Sequence, residues 1–551
     1  MDIKINNFRI RADQNGQLRR QLLRKYHLEE SEVIDFKILR QAIDARRRDA
    51  VYYDYQIRLQ LKKKHPELLK LPEISSYSPP PEMDYPVWKH PLPPVIVGFG
   101  PAGMFAALYL ARCGAKPVVI ERGSPIEIRK REVAEFFENK RLNPNSNVQF
   151  GEGGAGAFSD GKLATNLHHP WIQFILKEFH LHGACEDVTY SSAPHVGTDY
   201  LEKVVRNIRE EIKQLGGTFH FNTLFSDFEH HGETLTVRTE QASQHSVTQE
   251  KGLHEEQTEA NSDPTAILKE PPCIRTSHLL LCLGHSAHDS IRQLHAKGLQ
   301  MEAKPFSIGV RIEHLQSYIN EMQYGKFARF LPAASYKGVV HLKERSVYTF
   351  CMCPGGYVMA SSSEAQRIVT NGMSEKSRNG ANANSALLVD IRPSDFYHDS
   401  PLDGLAFQEK YERLAFQVAG DHRAPANLVG DFLHGKVASK AASVRPSYPH
   451  GVIYCDFKKC LPPYVVEAMR EAIPRMNSQI RGFNNPDAVM TGIESRSSSS
   501  VRILRNDQRE SSIKCIYPVG EGAGYAGGIV SAALDGLKTA AMIAATPRPF
   551  K

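Results

Sequence analysis

The chain has 551 residues, of which 41% are hydrophobic and 23% are charged, and its formal net charge is +7. This length suits two or three domains with a large core. The sequence contains no N-terminal signal peptide and no apolar run of about eighteen residues, and its nine cysteines are scattered. We therefore expect a soluble cytoplasmic protein without a membrane span.

Residues 1–70 predict a small basic α+β domain with the order β-α-β-β. Apolar and polar residues alternate over 51–62, which indicates a half-buried strand, and an amphipathic helix is predicted over 18–26. The other two strands are shorter and are predicted near 3–10 and 33–39. Residues 71–94 contain eight prolines and predict a semi-rigid linker.

Positive charge is concentrated at the start of the chain. Through residue 90 there are 18 Lys and Arg against 13 Asp and Glu, with clusters at 46–48 and 62–64. Clustered cations attract phosphate, so nucleic-acid binding is one interpretation. A solvated face or a docking surface within the molecule is the favoured one, because no RNP-type aromatic motif and no GXXG clamp is present.

A glycine-rich turn follows the linker. The apolar run 95–97 suits a buried parallel strand, and the glycines after it fit G-x-G-x-x-G at the start of a helix. Such a turn lets the backbone approach a pyrophosphate and lets the helix pack closely on the strand. The sequence therefore predicts a dinucleotide site at Gly98, Gly100, Pro101, Ala102 and Gly103.

A second strand, predicted over 117–120, ends in an acid. Glu121 lies about twenty residues beyond the glycines, where a carboxylate can accept hydrogen bonds from the adenosine ribose hydroxyls. A carboxylate at this place disfavours the 2′-phosphate of NADP. Glu121 and the neighbouring Arg122 are predicted cofactor contacts.

Two later segments are predicted to border the same site. Residues 148–163 are too rich in glycine for a regular element, and this loop offers Gly154, Ser159 and Lys162 to a diphosphate. A buried strand over 279–287 contains Gly284, and His285 and Ser286 are candidate helix-capping residues. The polar, aperiodic stretch 241–272 predicts a flexible hairpin insertion without a catalytic role.

The middle of the chain carries the candidate catalytic residues. Arg311 and Glu313 lie on one face of an alternating strand, and Arg496 comes shortly before the next glycine-rich segment. An arginine there can bind a substrate carboxylate or stabilise an anionic cofactor, and the alternative is a structural ion pair between domains. No metal site is predicted.

Two thiols at Cys351 and Cys353 precede a glycine turn. As a redox pair they would indicate a disulfide reductase. A bridge across one intervening residue needs a strained ring, however, and the usual C-x-x-C spacing is absent here. Buried apolar cysteines are therefore the favoured interpretation, and the redox pair is the alternative.

A second glycine-rich segment begins at Ile516, with a short predicted strand followed by Gly520, Glu521 and a helix that contains Gly528 and Ile529. A helix N-terminus stabilises negative charge, which suits a reduced flavin. The segment resembles the C-terminal motif of FAD-dependent oxidoreductases of the glutathione-reductase-like superfamily. That resemblance implies FAD as the cofactor and Glu521 as a ligand of the ribityl chain.

Nearly the whole chain resembles a family of largely uncharacterised FAD-dependent dehydrogenases, related to fumarate-reductase-like and HI-type flavoproteins. The resemblance is carried by GFGPAGMFAAL, FGEGGAGAFSDGKL, LCLGHSAHD, KPFSIGVRIEH, YTFCMCPGGYV, TNGMS, GIESRSSSSVRI and GEGAGYAGGIVSAALDG. It implies an α/β fold in which a Rossmann-like FAD-binding domain, at 95–301 and 511–551, is interrupted by a mixed α+β substrate domain at 302–510.

The predicted function is that of an FAD-dependent oxidoreductase, or dehydrogenase, that transfers a hydride between the flavin and an organic small-molecule substrate. No second G-x-G-x-x-G follows a strand between 165 and 510, which argues against a dedicated NAD(P)H domain. Transient NAD(P)H binding over the flavin remains open. The alternatives are an FAD-dependent RNA-modifying protein that uses the basic N-terminal domain, and a non-catalytic flavin-binding protein.

Overall fold

The computed structural model describes residues 1–242 and 273–546 and has a mixed α/β fold, as predicted. The predicted insertion lies outside the described residues from position 243 to 272. Across the two described ranges, no helix combines the length and the apolar character needed to cross a membrane.

The N-terminal part is a four-stranded antiparallel sheet covered by one helix. Its elements are β1 (Asp2–Arg11), α1 (Leu18–Lys25), β2 (Val33–Asp44), β3 (Tyr52–Leu61) and β4 (Ile74–Ser76). The sheet order is β2-β3-β1-β4. The predicted helix and the alternating strand are confirmed, since every second residue of β3 is buried. Strand β2 extends beyond its predicted end because it pairs with β3 over nearly its whole length.

The proline-rich segment is attached to neighbouring elements by backbone pairing and hydrogen bonds, unlike a linker. Residues 74–76 of the predicted linker form β4 and pair with β1, which corrects its predicted start. Farther along, the backbone N–H of Trp88 donates to the carbonyl of Cys113, and the hydroxyl of Tyr109 donates to the carbonyl of Asp84. Aromatic side chains between the prolines bury their rings against the neighbouring helix, so the segment lies along the protein surface.

The next part of the chain alternates short strands and helices. Its elements are β5 (Val95–Val97), α2 (Pro101–Arg112), β6 (Val118–Ile120), α3 (Ile126–Asn139), α4 (Trp171–Leu181), α5 (Thr198–Gln214), β7 (Thr218–His220), β8 (Thr223–His231), β9 (Thr234–Gln241), β10 (Ile274–Thr276), β11 (Leu279–Leu281) and α6 (His288–Ala296). Strands β8, β9 and β10 form a small antiparallel sheet.

The third part supplies most of the remaining strands. Its elements are β12 (Met301–Ala303), β13 (Phe306–Leu315), α7 (Gln316–Tyr324), β14 (Val339–His341), β15 (Ser346–Ala360), β16 (Thr370–Met373), β17 (Asn382–Ile391), α8 (Asp403–Ala419), β18 (Ala424–Leu428), α9 (Val429–Leu433), β19 (Val452–Tyr454), α10 (Pro463–Met476), β20 (Val489–Glu494) and β21 (Val501–Ile503). The described chain then ends with β22 (Ile516–Pro518) and α11 (Ile529–Ala545).

Two distant parts of the chain meet in one parallel sheet of order β22-β11-β5-β6-β7. Strands β5, β11 and β22 are fully buried, which explains their largely apolar sequences. Helix α11 packs directly on α2, and a Cβ atom at Gly536 would clash with the carbonyl oxygen of Ala102. This close approach brings the two glycine-rich segments side by side at the carboxyl ends of the strands.

The middle of the chain forms a larger sheet of order β14-β15-β17-β13-β20-β18-β19, with β16 paired to β15. Helices α8 and α10 pack on it around a separate apolar core. Strand β13 lies near the centre, paired antiparallel with β17 on one side and β20 on the other. Its residues from Phe306 to His314 are all buried, so charged side chains on this strand must find partners inside the protein.

One residue of the basic clusters contacts the rest of the molecule, and others form ion pairs within the N-terminal part. Arg46 forms an ion pair with Asp44 at 2.7 Å, and Arg48 Nη2 donates to the carbonyl oxygen of Glu321 at 2.6 Å. In the second cluster, Lys63 lies 3.4 Å from the carboxylate of Glu32. The exposed ion pairs are typical of a solvated face, and the contact of Arg48 is a docking contact within the molecule.

Candidate functional site

A cavity of about 810 Å³ lies at the carboxyl ends of the parallel strands and opens toward the middle sheet. In open α/β folds this edge of the sheet is where ligands bind. Thirteen of the fifteen predicted cofactor contacts line the cavity: Gly98, Gly100, Pro101, Ala102, Glu121, Arg122, Gly154, Ser159, Lys162, Gly284, Glu521, Gly528 and Ile529. Gly103 and Gly520 do not line it. They instead allow close packing, because a Cβ atom at Gly103 would clash with Gly98 and one at Gly520 would clash with Ala102.

The first glycine turn has the geometry that its pattern predicts. Gly98 adopts a φ of +95°, and a Cβ atom at Gly103 would clash with the carbonyl oxygen of Gly98. Pro101 occupies the first turn of α2, where a missing N–H costs nothing. The free N–H groups of this helix end therefore face the cavity, which suits a pyrophosphate.

Glu121 joins the turn to the glycine-rich loop. Its carboxylate accepts hydrogen bonds from the backbone N–H groups of Phe99 at 2.9 Å, Gly123 at 3.0 Å and Gly151 at 3.0 Å. The predicted ribose contact thus comes from a side chain that also fixes three loops. Beside it, Arg122 lies over the ring of Phe150 and pairs with an aspartate of α6.

Replacing Glu121 by alanine is expected to weaken FAD binding by about 1–3 kcal/mol, because charge-assisted hydrogen bonds to the loops are lost. The dissociation constant, measured by titrating FAD into flavin-free protein, should rise about 5–150-fold. Glu135→Ala, on the exposed face of α3, is the matched control. An unchanged dissociation constant for Glu121→Ala would remove this residue from the cofactor site.

The glycine-rich loop is held by a buried arginine that the sequence analysis did not single out. The guanidinium of Arg129 on α3 donates to the carbonyl oxygens of Asn147, Val148, Gly151, Glu152 and Gly154 at 2.7–3.1 Å. Arg129 is fully buried, and burial lowers its pKa to about 10. The sequence signal was its place on the apolar stripe of α3, which it shares with Ile126, Val133 and Phe136.

Farther along the loop, Ser159 and Lys162 point to different partners. The hydroxyl of Ser159 donates to the carbonyl oxygen of Gly156 at 2.8 Å, which shapes the turn. The ammonium of Lys162 contacts the carbonyl oxygen of Met352 in the middle sheet and lies 3.9 Å from the carboxylate of Asp160. Lys162 therefore connects the cofactor loop with strand β15.

The second glycine segment differs from its prediction in one respect. The helix was expected to follow Gly520–Gly524, but α11 begins only at Ile529, with Gly528 as its N-cap. Residues 520–528 form a loop, in which Glu521 Oε1 lies 3.3 Å from His285 Nδ1. His285 lines the cavity and does not cap α6, whose N-cap is Ala287, so its predicted capping role is wrong.

Gly520 is tied to the core of the cofactor region. Its N–H donates to Asp535 Oδ2 at 2.9 Å, and the same carboxylate forms ion pairs with Arg505 at 2.8 Å and Arg509 at 2.6 Å. The pKa of Asp535 is lowered because these bonds outweigh burial. This aspartate, which the sequence analysis passed over, fixes the turn that carries Glu521.

Three of the five predicted catalytic residues lie outside the cavity lining, namely Arg311, Glu313 and Cys353. Arg311 is fully buried and forms a bidentate ion pair with Glu494, while Glu313 accepts hydrogen bonds from Asn382 and Ser447. The reason is that β13 is covered by strands on both sides, so these charges are satisfied within the sheet. The structure thus does not bring Arg311 or Glu313 to the place where a substrate could bind.

Arg496 lines the cavity, but most of its donors are already used. Its guanidinium forms two hydrogen bonds with Glu412, at 2.7 and 2.9 Å, and donates to Ser363 Oγ at 2.7 Å. Burial alone would raise the pKa of Glu412, but the charge of Arg496 outweighs it and holds that pKa at about 2. The arrangement matches the structural ion pair that the sequence analysis left as the alternative.

This ion pair predicts how stability depends on pH. Because the folded-state pKa of Glu412 lies below its ordinary value of 4.5, its contribution to the free energy of unfolding is fully present above pH 4.5 and is lost as the pH falls toward about 2. The destabilisation caused by Glu412→Gln should therefore be largest near neutral pH and shrink on acidification. Urea unfolding at several pH values measures it, with the exposed Glu138→Gln as the control; a pH-independent difference would contradict the prediction.

The two cysteines occupy different environments. Cys351 is half-buried and lines the cavity, whereas Cys353 is fully buried and does not line it. The interpretation of both as buried apolar residues is therefore wrong for Cys351, because a bulge in β15 turns this residue toward the cavity.

Comparison with known proteins identifies the cofactor. Residues 305–497 match a family described as FAD-dependent protein, C-terminal domain-like, and residues 2–60 match a domain of unknown function. An uncharacterized protein from Clostridium beijerinckii is 41% identical over 554 aligned residues, covering 98% of both chains. The cavity, with two helix N-termini and a glycine cradle at its edge, fits an extended dinucleotide, and the cofactor of this protein is FAD.

Similar solved structures include flavoproteins, at low similarity. CtdE in complex with FAD is 10% identical and covers 83% of this chain and 84% of that chain, with a TM-score of 0.30. The flavin-dependent halogenase CmlS is 11% identical, with a TM-score of 0.35, and covers 82% of this chain and 58% of that chain. Halogenase PltM is 10% identical, with a TM-score of 0.36, and the match covers 82% of this chain and 69% of that chain.

The assignment of the family rests on the relative that aligns along nearly the entire sequence and on the matched C-terminal domain. The chain therefore belongs to this FAD-dependent protein family, together with its Clostridium beijerinckii relative.

Proposed function

We propose that the protein is an FAD-dependent oxidoreductase that transfers a hydride between the flavin and a small organic substrate. The observation that carries the proposal is the continuity of the cavity. One part is lined by the two glycine segments, and the other by middle-sheet residues such as Thr349 and Asn371. Bound FAD supplies the redox chemistry, and the protein supplies binding, orientation and charge.

We assign the residues of the cofactor part as follows. Gly98, Gly100 and Gly154, with the N-terminus of α2, hold the pyrophosphate, while Glu121 holds the adenosine ribose. The loop at Glu521 holds the ribityl chain, and the N-terminus of α11 at Gly528 and Ile529 stabilises negative charge on the reduced flavin. These assignments are supported by the common cavity that the side chains line.

Acidic and basic side chains both border the cavity, and the acids Asp160 and Glu494 are paired with arginines. Lys162 and Lys337 both line it, and Lys337 forms no ion pair with any residue in 1–242 or 273–546. Arg378 also lines it but is neutralised by Asp160 at 2.7 Å. We infer that the substrate carries an acidic group, because an unpaired cation beside the cofactor attracts an anion.

The proposal is tested by reducing the FAD-loaded protein with light in the absence of oxygen and then adding candidate oxidants. We expect carboxylic acids with a reducible bond to restore the oxidised flavin spectrum faster than their uncharged amides. NADH and NADPH are added to the oxidised protein in parallel arms. Lys337→Met should weaken the apparent affinity for the acid about tenfold, which corresponds to about 1.4 kcal/mol.

The exposed Lys343→Met is the matched control for that variant. Equal rates with acids and amides would contradict an acidic substrate. Protein that binds FAD but exchanges no electrons with any compound would instead favour the non-catalytic flavin-binding protein. The nucleic-acid alternative is tested separately by measuring RNA binding at several salt concentrations. If this alternative holds, the affinity for RNA should fall steeply with added salt.

A further inference from the structure

The cavity contains a second chemically reactive group, where strand β15 departs from regular geometry. Its pairing with β17 shifts register between Phe350 and Cys353, and Cys351 adopts a φ of +43°. Such left-handed backbone is unfavourable for a residue with a side chain and is concentrated at functional sites. The bulge places Cys351 at the cavity wall and leaves Cys353 buried behind it.

Positive charge surrounds this thiol. Lys162 bonds to the carbonyl oxygen of Met352, the residue next to Cys351, and Arg311 Nη1 donates to the carbonyl oxygen of Cys351 itself at 2.9 Å. The interaction with the Cys353 thiol outweighs burial and, together with the charges of Lys162 and Arg311, lowers the pKa of Cys351. Asp160, through its own negative charge, opposes this effect.

The same interaction makes the two cysteines unequal. It raises the pKa of Cys353, and burial raises that pKa further. Cys353 Sγ also lies 3.2 Å from the carbonyl oxygen of Cys351. One thiol is thus exposed to the cavity and favours the thiolate, while its neighbour is enclosed and favours the protonated form. A nucleophilic thiol backed by a buried resolving thiol has this arrangement.

Cys351 lines the same cavity as Gly528 and Ile529, the residues assigned to the flavin end of the cofactor site. Ile529, at the N-terminus of α11, packs against Gly156, where an added Cβ atom would lie 3.2 Å from its Cγ1. From Gly156 the loop continues to Lys162, whose ammonium reaches the backbone between the two cysteines. The loop 156–162 therefore connects the helix assigned to the reduced flavin with the strand that carries Cys351.

We propose that Cys351 and Cys353 form a redox-active pair that exchanges two electrons with FAD and with a small disulfide entering the cavity. The inference rests on the proposed position of FAD. In one direction, the Cys351 thiolate attacks the small disulfide, forming a mixed disulfide and releasing one thiolate. Cys353 then loses its proton and attacks the Cys351 sulfur, which releases the second thiolate and leaves the Cys351–Cys353 disulfide.

The Cys351–Cys353 disulfide would then be reduced, which closes the cycle. It would accept two electrons from bound reduced FAD and take up two protons, so that the S–S bond breaks and two thiols form. A bridge across a single intervening residue is strained, and strained disulfides are the readily reduced ones. The strain of a bridge between Cys351 and Cys353, which makes such a bridge unfavourable as a permanent structural link, therefore suits a disulfide that accepts electrons from a flavin.

The test counts electrons in the FAD-loaded protein. The protein is oxidised with diamide, freed of the reagent and titrated with dithionite in the absence of oxygen. Wild type should consume two electrons more per flavin than Cys353→Ser or Cys351→Ser, and its flavin should bleach only after the disulfide is reduced. Mass spectrometry of the peptide that contains both cysteines should show the loss of two hydrogens after diamide treatment.

Cys460→Ser is the matched control, because Cys460 is a free, buried thiol that interacts with the Cys455 thiol through a hydrogen bond, and neither residue lines the cavity. It should consume as many electrons as wild type. Adding bis(2-hydroxyethyl) disulfide to the fully reduced protein should restore the oxidised flavin spectrum in wild type and in this control, but at least tenfold more slowly in Cys351→Ser.

Equal electron counts in wild type and Cys353→Ser, or the absence of the internal disulfide after diamide, would overturn the redox pair. Either result would leave the proposed function intact if the flavin is still reduced by light and reoxidised by an organic acid. Loss of flavin binding in wild type would instead overturn the proposed function. The ratio of flavin to protein in each serine variant shows whether that variant has folded.

Discussion

Gly100→Val is expected to abolish stoichiometric FAD binding while leaving the protein folded. Gly100 is the N-cap of α2 with an extended backbone, φ −78°, and an added Cβ atom would lie 3.6 Å from the Cα atom of Gly154, an ordinary contact. The protein can therefore hold a side chain here. The branches of valine would fill the space between two loops that both line the cavity.

The expected loss of affinity is about 3 kcal/mol or more, which corresponds to over a hundredfold. Overpacking against the ligand costs about 1–3 kcal/mol, and hydrogen bonds from the backbone to a charged phosphate contribute about 1.5–3 kcal/mol. The ratio of flavin to protein absorbance after purification measures the effect, and FAD titration of the flavin-free protein gives its size.

Gly16→Val is the matched control, because Gly16 is exposed, lies in the N-terminal part and has no heavy atom within 4 Å of an added Cβ. Circular dichroism and urea unfolding establish that both variants are folded. Full flavin occupancy in Gly100→Val would show that the pyrophosphate does not lie at this turn.

The glycine segments were predictable because their information is local. A strand, a tight turn and a helix start are encoded within about ten consecutive residues, and the physical role of each glycine follows from backbone geometry. The start of α11 was misplaced because the run from Gly520 to Gly528 is permissive for both loop and helix. The hydrogen bond from the Gly520 N–H to Asp535, a residue of α11, is a contact across this turn that the local pattern does not reveal.

The candidate catalytic residues were harder to predict because their environment depends on distant parts of the chain. Arg311 lies on an alternating strand, and alternation indicates one covered and one open face. Strand β13 is instead paired on both sides and covered on both faces, with Glu494 supplied from a strand far along the sequence. Conversely, the exposure of Cys351 follows from a bulge that the sequence pattern does not indicate.

Arg129→Met is expected to cause the largest loss of stability among the variants considered, about 3–5 kcal/mol in the free energy of unfolding. The substitution keeps much of the side-chain volume but leaves five loop carbonyls without their buried donor. It also removes the positive charge that faces the carboxylates of Glu121 and Glu152.

Flavin binding should fall together with stability, because the loop that Arg129 holds contains Gly154 and Lys162, which line the cavity. Urea unfolding and the flavin-to-protein ratio measure the two effects. Arg131→Met, two residues later on the same helix, is the control, since Arg131 is exposed and makes only a long bond to Glu127 within its own helix.

Arg129→Lys distinguishes the contribution of the positive charge at position 129 from that of the hydrogen-bond donors of the guanidinium. The lysine restores the positive charge but offers three donors from one point, whereas the guanidinium distributes its five donors over the loop carbonyls. We expect Arg129→Lys to recover part of the stability and less of the flavin occupancy, because the loop needs several carbonyls fixed at once. If Arg129→Met bound flavin as fully as wild type and unfolded at the same urea concentration, the loop would be held by its own backbone bonds. Arg129 would then have no part in building the FAD site.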